Sequence, residues 1–193
     1  MQQLAATDEG SNVNLTDGSV INVQGSNSSG VMLRNGSFLS VSDSTINVTG
    51  DNSYAINDQS LNDSMSLQNA IINTKGSGNT GLYAIGRYDI VASKIAVDGA
   101  SSYGITGRGL IGNIVGSTIT ASGENSSALL LDDARYTLVV GSKLESQNAA
   151  AIVLEDSYNA TTDLTLRHTR VVGNSGLAIQ AQDDTTNGGD AGE

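Results

Sequence analysis

Cysteine, proline and tryptophan are absent from this chain of 193 residues, and phenylalanine occurs only once. The lack of cysteine excludes a disulfide framework and thiolate metal sites. The lack of proline is typical of a protein whose strands are mostly central, because proline has no N–H to donate to a ladder. With so few aromatic residues, the core must be filled by aliphatic side chains, which suits a narrow interior of stacked valine, isoleucine and leucine.

Positive charge is also scarce, since 9 Lys and Arg stand against 20 Asp and Glu and give a formal net charge of −11. Such a surface repels phosphate groups, so we expect neither nucleic acid nor anionic lipid as a partner. No apolar run approaches the roughly 18 residues of a membrane helix, and we predict no direct insertion of this chain into a membrane. Abundant Asn, Ser, Thr and Gly are typical of an extracellular protein.

The two ends of the chain differ from its middle. Residues 1–12 are polar and lack the basic and then apolar pattern of a signal peptide. We expect them to be a polar leading segment, and the chain to be a piece of a longer protein. Residues 183–193 are acidic and rich in glycine, which predicts a disordered tail. Residues 13–182 are expected to form one domain.

A repeat of about 25 residues runs through this domain. Its clearest sign is a column of aliphatic residues separated by 23 to 27 positions: Ile21, Ile46, Ile72, Ile95, Ile119, Leu144 and Val171. A Ser, Ala or Thr lies two residues before each member, and a Gly, Asn or Ser lies four residues after it. A repeat of this size predicts a stacked solenoid, in which no single unit could bury its own apolar face.

Each unit contains three short apolar stretches that alternate with a period of two, as in Val20–Val23. A second column lies five residues before the first in six units, whereas Leu15 is one residue out of register. The pattern predicts an all-β protein, a parallel β-helix solenoid with three short strands per turn and about seven turns. Right-handedness is expected from the general chirality of parallel crossovers.

Several segments carry a family resemblance: Asp-Ser-Thr-Ile-Asn-Val-Thr-Gly (43–50), Gly-Ser-Thr-Ile-Thr-Ala-Ser-Gly (116–123), Asn-Ser-Ser-Ala-Leu-Leu-Leu-Asp-Asp-Ala-Arg (125–135) and Gly-Ser-Lys-Leu-Glu-Ser (141–146). They resemble pertactin-like passenger domains of Gram-negative autotransporters. The likeness covers residues 13–180 and rests on the style of the repeat. It implies a right-handed β-helix that is exported through the outer membrane and displayed on the bacterial surface.

The resemblance also implies a function, since many such passengers are adhesins. We therefore expect a non-enzymatic adhesin or virulence stalk, acting in cell contact or aggregation, without a cofactor. Its expected partner is a host-cell surface protein or glycan, or another copy of the chain. The alternative is a carbohydrate-active β-helix, a polysaccharide lyase or glycoside hydrolase. The regular length of the units favours the adhesin, because such enzymes usually add long loops over one face.

The alternative depends on four carboxylates after the third strand of two successive units: Asp132, Asp133, Glu155 and Asp156. If the units stack, these groups lie within one or two strand spacings. Carboxylates at that range could act as acid and base in glycoside cleavage, or bind Ca²⁺. The other interpretation is a solvated corner that Arg108 and Arg135 partly neutralise. We favour this second interpretation and predict no catalytic or metal-binding residue.

Possible contacts to a partner or glycan are the tyrosines that follow the third strand and two nearby arginines: Tyr88, Tyr136, Tyr158, Arg87 and Arg108. Exposed tyrosines can stack on sugar rings, although tyrosines are also common as packed core or corner residues. Tyr54, Tyr83 and Tyr103 lie within the third strand. Arg34, Arg87 and Arg108 occur at comparable points of their units and predict a small basic stripe. His168, the single histidine, is expected to be a surface residue.

Overall fold

The computed structural model describes residues 3–6, 10–157 and 161–182, and the account of residues 3–6 concerns their backbone. The described residues form 22 strands and no helix. Sheet A contains β1 (Gln3–Ala6), β4 (Ser29–Leu33), β7 (Tyr54–Asp58), β10 (Thr80–Ala84), β13 (Tyr103–Gly107), β16 (Ser127–Asp132), β19 (Ile152–Glu155) and β22 (Ile179–Ala181). Sheet B contains β2 (Asn12–Leu15), β5 (Phe38–Ser42), β8 (Ser64–Gln68), β11 (Arg87–Val91), β14 (Gly112–Val115), β17 (Thr137–Val140) and β20 (Leu164–Arg167). Sheet C contains β3 (Val20–Gln24), β6 (Thr45–Thr49), β9 (Ile71–Lys75), β12 (Lys94–Asp98), β15 (Thr118–Glu124), β18 (Lys143–Asn148) and β21 (Arg170–Gly173).

Each strand pairs in parallel with the strand three places further along the chain. The chain therefore passes through sheets A, B and C once per turn, and about seven turns stack into a solenoid. This confirms the predicted all-β class with three strands per turn. Sheet A also extends into the leading segment, because β1 pairs with β4. The predicted tail, residues 183–193, lies outside the described residues.

The predicted column of aliphatic anchors is confirmed by the register of sheet C. Ile21 pairs with Ile46, and the pairing continues without a slip up to Val171. In sheet B, Leu15 pairs with Val41 despite its offset in the sequence. The extra residue is accommodated in the corner at 16–19, which is longer than the equivalent corners of later turns.

The interior is almost wholly aliphatic, with one large exception. Tyr88 is only 2% exposed, so its prediction as a surface contact is wrong. Its ring lies across Gly112 of the next turn, where a Cβ atom would overlap the ring, and its hydroxyl is 3.5 Å from Thr137 Oγ1. Burial raises the pKa of Tyr88 to about 12. Tyr88 fills interior space that glycine at position 112 leaves open.

The corner between sheets B and C, hereafter the B–C corner, has two residues in six turns: 43–44, 69–70, 92–93, 116–117, 141–142 and 168–169. The first residue has a positive φ between 49° and 58° in every case. His168 is the first residue of the last of these corners. The second belongs to the predicted serine column. Ser117 Oγ accepts a hydrogen bond from the Ser93 N–H at 3.1 Å and donates to the Val115 carbonyl at 3.0 Å. Hydroxyl groups thus join successive turns.

The glycine column lies at the corner between sheets C and A. Gly50 has φ 133°, and a Cβ atom there would overlap the carbonyl group of Gly25 in the turn before. Positive φ and close stacking of the backbone therefore both require glycine. Just beyond it lies a second polar column, which sequence analysis missed: Ser28, Ser53, Asn79, Ser102 and Ser126.

The corner between sheets A and B, hereafter the A–B corner, varies from turn to turn. It spans residues 34–37, 59–63, 85–86, 108–111, 133–136 and 156–163 in successive turns, and residues 158–160 of the last lie outside the described part. At the first two of these corners, Arg34 and Gln59 stand beside the outer face of sheet A. In the part of the chain that the structure describes, no helix could span a membrane.

Candidate functional site

The outer face of sheet A is a shallow groove. One column of this face consists of Met32, Asn57, Tyr83, Thr106, Leu130 and Val153. Met32, Asn57 and Thr106 are each 7% exposed, although no layer of structure covers them among the described residues. Asn27 and Asn52 stand on one side, and Arg34 and Gln59 stand on the other. Corner side chains therefore turn a flat sheet face into a groove along the rod, which we call the sheet A groove.

Three half-buried tyrosines lie in the sheet A groove. Tyr54 and Tyr103 belong to one column, with Thr80 between them. A strand spacing of about 4.8 Å places their backbones roughly 9.6 Å apart. The ring of Tyr83, in the neighbouring column, meets the ring of Tyr54 edge-on, with centroids 5.9 Å apart. Burial and the negative charge of Glu155 raise the pKa of Tyr103. Three aromatic groups thus follow the groove over three turns.

The polar groups beside these tyrosines are mostly neutral. A depression around Tyr54 is lined by hydroxyl, amide and thioether groups and by one arginine: Asn27, Ser28, Ser29, Met32, Arg34, Asn52, Asn57 and Gln59. The Arg34 Nε donates to Gln59 Oε1 at 3.1 Å. A second depression, around Tyr103, includes Asn125, Ser127 and Gln180, with Glu155 as its single charged group. The groove therefore offers aromatic faces and neutral hydrogen-bonding groups together.

The four predicted carboxylates lie at one end of this groove. Asp132 pairs in register with Glu155, which confirms that the two units bring these acids together. However, Asp132 forms an ion pair with Arg108, and its Oδ1 accepts from the Ser157 N–H at 3.1 Å. Burial opposes the charge of Arg108, but hydrogen bonding to Tyr83 and the charge of Asp132 together raise the pKa of Arg108. The carboxyl group of Asp132 thus bonds to Arg108 and to the backbone of the next turn.

The remaining members of the acidic group have separate surroundings. Asp133 adopts a positive φ of 53°, and its N–H donates to the Glu155 carbonyl at 3.3 Å. Glu155 Oε1 accepts from Gln182 Nε2 at 2.6 Å. Asp156 lies beside a depression that includes Thr161 and Thr162. Within residues 10–157 and 161–182, no group of three or more His, Cys, Asp or Glu side chains is arranged to hold a metal ion.

The other predicted contacts fall in different places. Arg87 begins β11 and pairs with Ser64 in sheet B, so it does not belong to a stripe with Arg34 and Arg108, and that interpretation is wrong. Tyr136 lies at an A–B corner and is 40% exposed. Tyr158 lies outside the described residues.

Sequence analysis missed two buried acids at another A–B corner, Asp58 and Asp63. Asp58 is 0% exposed and Asp63 is 1% exposed. Asp58 pairs with Leu33 on one side. On the other side Asn57 pairs with Tyr83, so Asp58 shares the register position of Ala84, in a column that is otherwise apolar. Burial, followed by the hydrogen bond to Asp63, raises the pKa of Asp58 from 3.8 to about 7. Aligning the third strand of every unit would have revealed this single acid among Leu, Ala and Gly.

Comparisons with protein-family models, with curated proteins and with solved structures find no match to this chain. The fold is that of a parallel β-solenoid.

Proposed function

We propose that this chain is a non-enzymatic, surface-displayed β-helix segment of a bacterial autotransporter that acts as an adhesin in cell contact. The observation that carries the proposal is the row of Tyr54, Tyr83 and Tyr103 in a groove along a regular rod. The resemblance of segments such as 43–50 and 116–123 to pertactin-like passengers supports export and display at the cell surface.

The rod shape of the molecule suits the presentation of its tyrosines to a ligand. Seven turns at a spacing of about 4.8 Å give a rod roughly 34 Å long. Ladder hydrogen bonds and hydroxyl columns connect every turn to the next, so the tyrosines keep fixed distances from one another. A rigid row of contacts costs little ordering entropy when a long ligand binds.

A neutral glycan is the ligand that best fits the sheet A groove. Tyrosine rings offer flat apolar faces for sugar rings, while the exposed amides of Asn27, Asn52 and Gln59 offer hydrogen bonds to hydroxyl groups. The roughly 9.6 Å between Tyr54 and Tyr103 matches an extended chain of sugars better than a single small molecule. The net charge of −11 disfavours an anionic polysaccharide.

The alternative of a carbohydrate-active enzyme has less support. Its acid–base pair would require Asp132, which is committed to Arg108 and to the Ser157 N–H. Glu155 and Asp156 would then have to act without it. The short A–B corners at 85–86 and 108–111 also leave the groove without the deep walls of a catalytic cleft.

The experiment is binding of the purified chain to an array of neutral oligosaccharides and to cultured epithelial cells. Replacing Tyr54 and Tyr103 by Ala should weaken binding on the order of tenfold, because each loses an aromatic contact. The matched control is Tyr136→Ala, which removes an exposed tyrosine outside the groove and should leave binding unchanged. Protease accessibility on intact cells that express the full-length protein tests surface display.

Three outcomes would contradict the proposal. Loss of binding in Tyr136→Ala alone would move the contact away from the groove. Concentration-dependent sedimentation without any glycan binding would favour self-association. Release of reducing sugar from a polysaccharide panel, abolished by Glu155→Gln, would establish the enzyme instead.

A further inference from the structure

The carboxyl group of Asp58 joins two turns inside the wall of the solenoid. Its Oδ2 accepts hydrogen bonds from the backbone N–H groups of Ile85 at 3.0 Å and Gly86 at 2.7 Å, both in the following turn. Its Oδ1 accepts from the Ser60 N–H at 3.1 Å, within its own corner. Three backbone donors thus depend on one side chain that faces the core.

Asp63 extends these connections in the opposite direction. Its Oδ1 accepts from the backbone N–H groups of Gly36 and Ser37, both at 2.7 Å, in the preceding turn. Its Oδ2 is buried and receives no hydrogen bond when both carboxyl groups are ionised. The side chains of Asp58 and Asp63 are also hydrogen-bonded to each other, and two carboxyl groups can form such a bond only when one of them carries a proton. Together, Asp58 and Asp63 connect three successive turns.

We propose that Asp58 and Asp63 share one proton and form a clasp that holds three successive A–B corners together while it is protonated and loosens when the proton is lost. This inference is independent of the proposed adhesin function.

Among the residues that the structure describes, no cation acts on Asp58 and could replace the proton. The basic groups at or directly after the adjoining A–B corners are Arg34, after β4, and Arg87, at the start of β11, and both are exposed. Arg34 is hydrogen-bonded to Gln59 at the surface. Tyr83 is the titratable group of β10. In β11, Tyr88 lies in the core beside Thr137, and the carboxyl group of Asp89 is exposed. Loss of the proton therefore leaves two negative charges together in a buried site.

The direction of the pH effect follows from the raised pKa of Asp58, about 7 in the folded chain against an ordinary value of 3.8. The folded state binds the proton more tightly than the unfolded state does. The contribution of the clasp to stability is therefore complete below pH 3.8 and is lost as the pH rises to about 7. Above that pH the corner is weakened, and the groove wall formed by Arg34 and Gln59 loosens with it.

The test is a carbon-detected NMR titration of the Asp58 carboxyl group in the full chain, together with urea unfolding across the same pH range. Asp58 should titrate near pH 7, and the unfolding midpoint should fall as the pH approaches that value. In Asp63→Asn, Oδ1 can still accept from Gly36 and Ser37, while the new amide donates to Asp58. We expect its Asp58 pKa to fall, because the hydrogen bond and the charge of Asp63 no longer raise it, while burial still holds it above 3.8. The pH dependence of its unfolding midpoint should therefore move to lower pH.

Asp89→Asn is the matched control, because Asp89 is an exposed strand residue of the next turn, and it should keep the pH dependence of the unmodified chain. If Asp63→Asn fails to fold, Asp58→Asn provides the second variant and should show an unfolding midpoint that no longer falls as the pH approaches 7, because the titrating group is gone. Titration of Asp58 near pH 4 in the unmodified chain would overturn the proposal. An unchanged pH dependence in both variants would overturn it as well.

Discussion

The B–C corner and the A–B corner are built in opposite ways. Six B–C corners consist of two residues, with a positive φ at the first and a small residue, mostly Ser or Thr, at the second. The A–B corners range from two residues at 85–86 to eight at 156–163. The B–C corner repeats one backbone conformation and one pattern of hydroxyl hydrogen bonds, whereas the A–B corner differs in length and in side-chain contacts from turn to turn.

The individual chemistry of the molecule lies beside the variable corner. The ion pair of Arg108 with Asp132, the buried pair of Asp58 with Asp63, and the ring of Tyr88 over Gly112 all occur there. The B–C corner keeps the turns aligned, and this alignment leaves the A–B corner free to differ.

The largest effect is expected from Gly112→Ala, which places a methyl group where the Tyr88 ring lies. Overpacking of this kind typically lowers the free energy of unfolding by about 1–3 kcal/mol, and more where the surroundings cannot move. Urea unfolding measures the loss. The double variant Tyr88→Leu/Gly112→Ala should recover part of it, because a smaller side chain leaves room for the methyl group. A fully stable Gly112→Ala would show that Tyr88 does not occupy this space.

A smaller loss is expected from Ser117→Ala at the regular corner. The change removes the acceptor of the Ser93 N–H and leaves that buried donor without a side-chain partner. Such a loss costs about 1–3 kcal/mol, and a position in a uniform column should lie at the lower end. Ser117→Thr is the control, since Thr169 already occupies this column. Equal stability of the alanine and threonine variants would contradict a role for the hydroxyl column.

The smallest effect is expected from Asp132→Asn, at the variable corner. Arg108 is partly exposed, so its ion pair contributes little, and an asparagine oxygen can still accept from the Ser157 N–H. The free energy of unfolding should fall by less than about 1 kcal/mol, with a difference that shrinks in high salt. Parallel urea titrations at low and high salt check this. A large loss at both salt concentrations would show that Asp132 does more than pair with Arg108.

The sequence predicts the regular part of the molecule well because like residues stack on like. The column from Ile21 to Val171 and the hydroxyl column at Ser117 follow from the period alone. The burial of Tyr88 does not, since it depends on Gly112 in the next turn. The position of Arg87 was mistaken because the A–B corner before it is short, which moves that residue into sheet B.

The candidate site was predicted only in part for the same reason. Tyr54, Tyr83 and Tyr103 are visible in the sequence as strand residues, but the groove around them is formed by corners of unequal length. The pairing of Asp132 with Glu155 follows from the repeat, whereas the commitment of Asp132 to Arg108 requires side-chain positions. Asp58 is the one acid in a column of apolar residues. The repeat shows that it differs from its neighbours but does not show that its carboxyl group bonds to the next turn.

Every conclusion above requires that each turn lies directly on the last, and a distance between two spin labels tests this most directly. The chain contains no native cysteine, so labels can be placed at Asn22 and Glu145 alone. These residues share one outer column of sheet C, five turns apart. A stacked solenoid predicts a narrow distribution near 24 Å between their backbones, from about 4.8 Å per turn. A broad distribution, or a distance far from this value, would contradict the stacked arrangement.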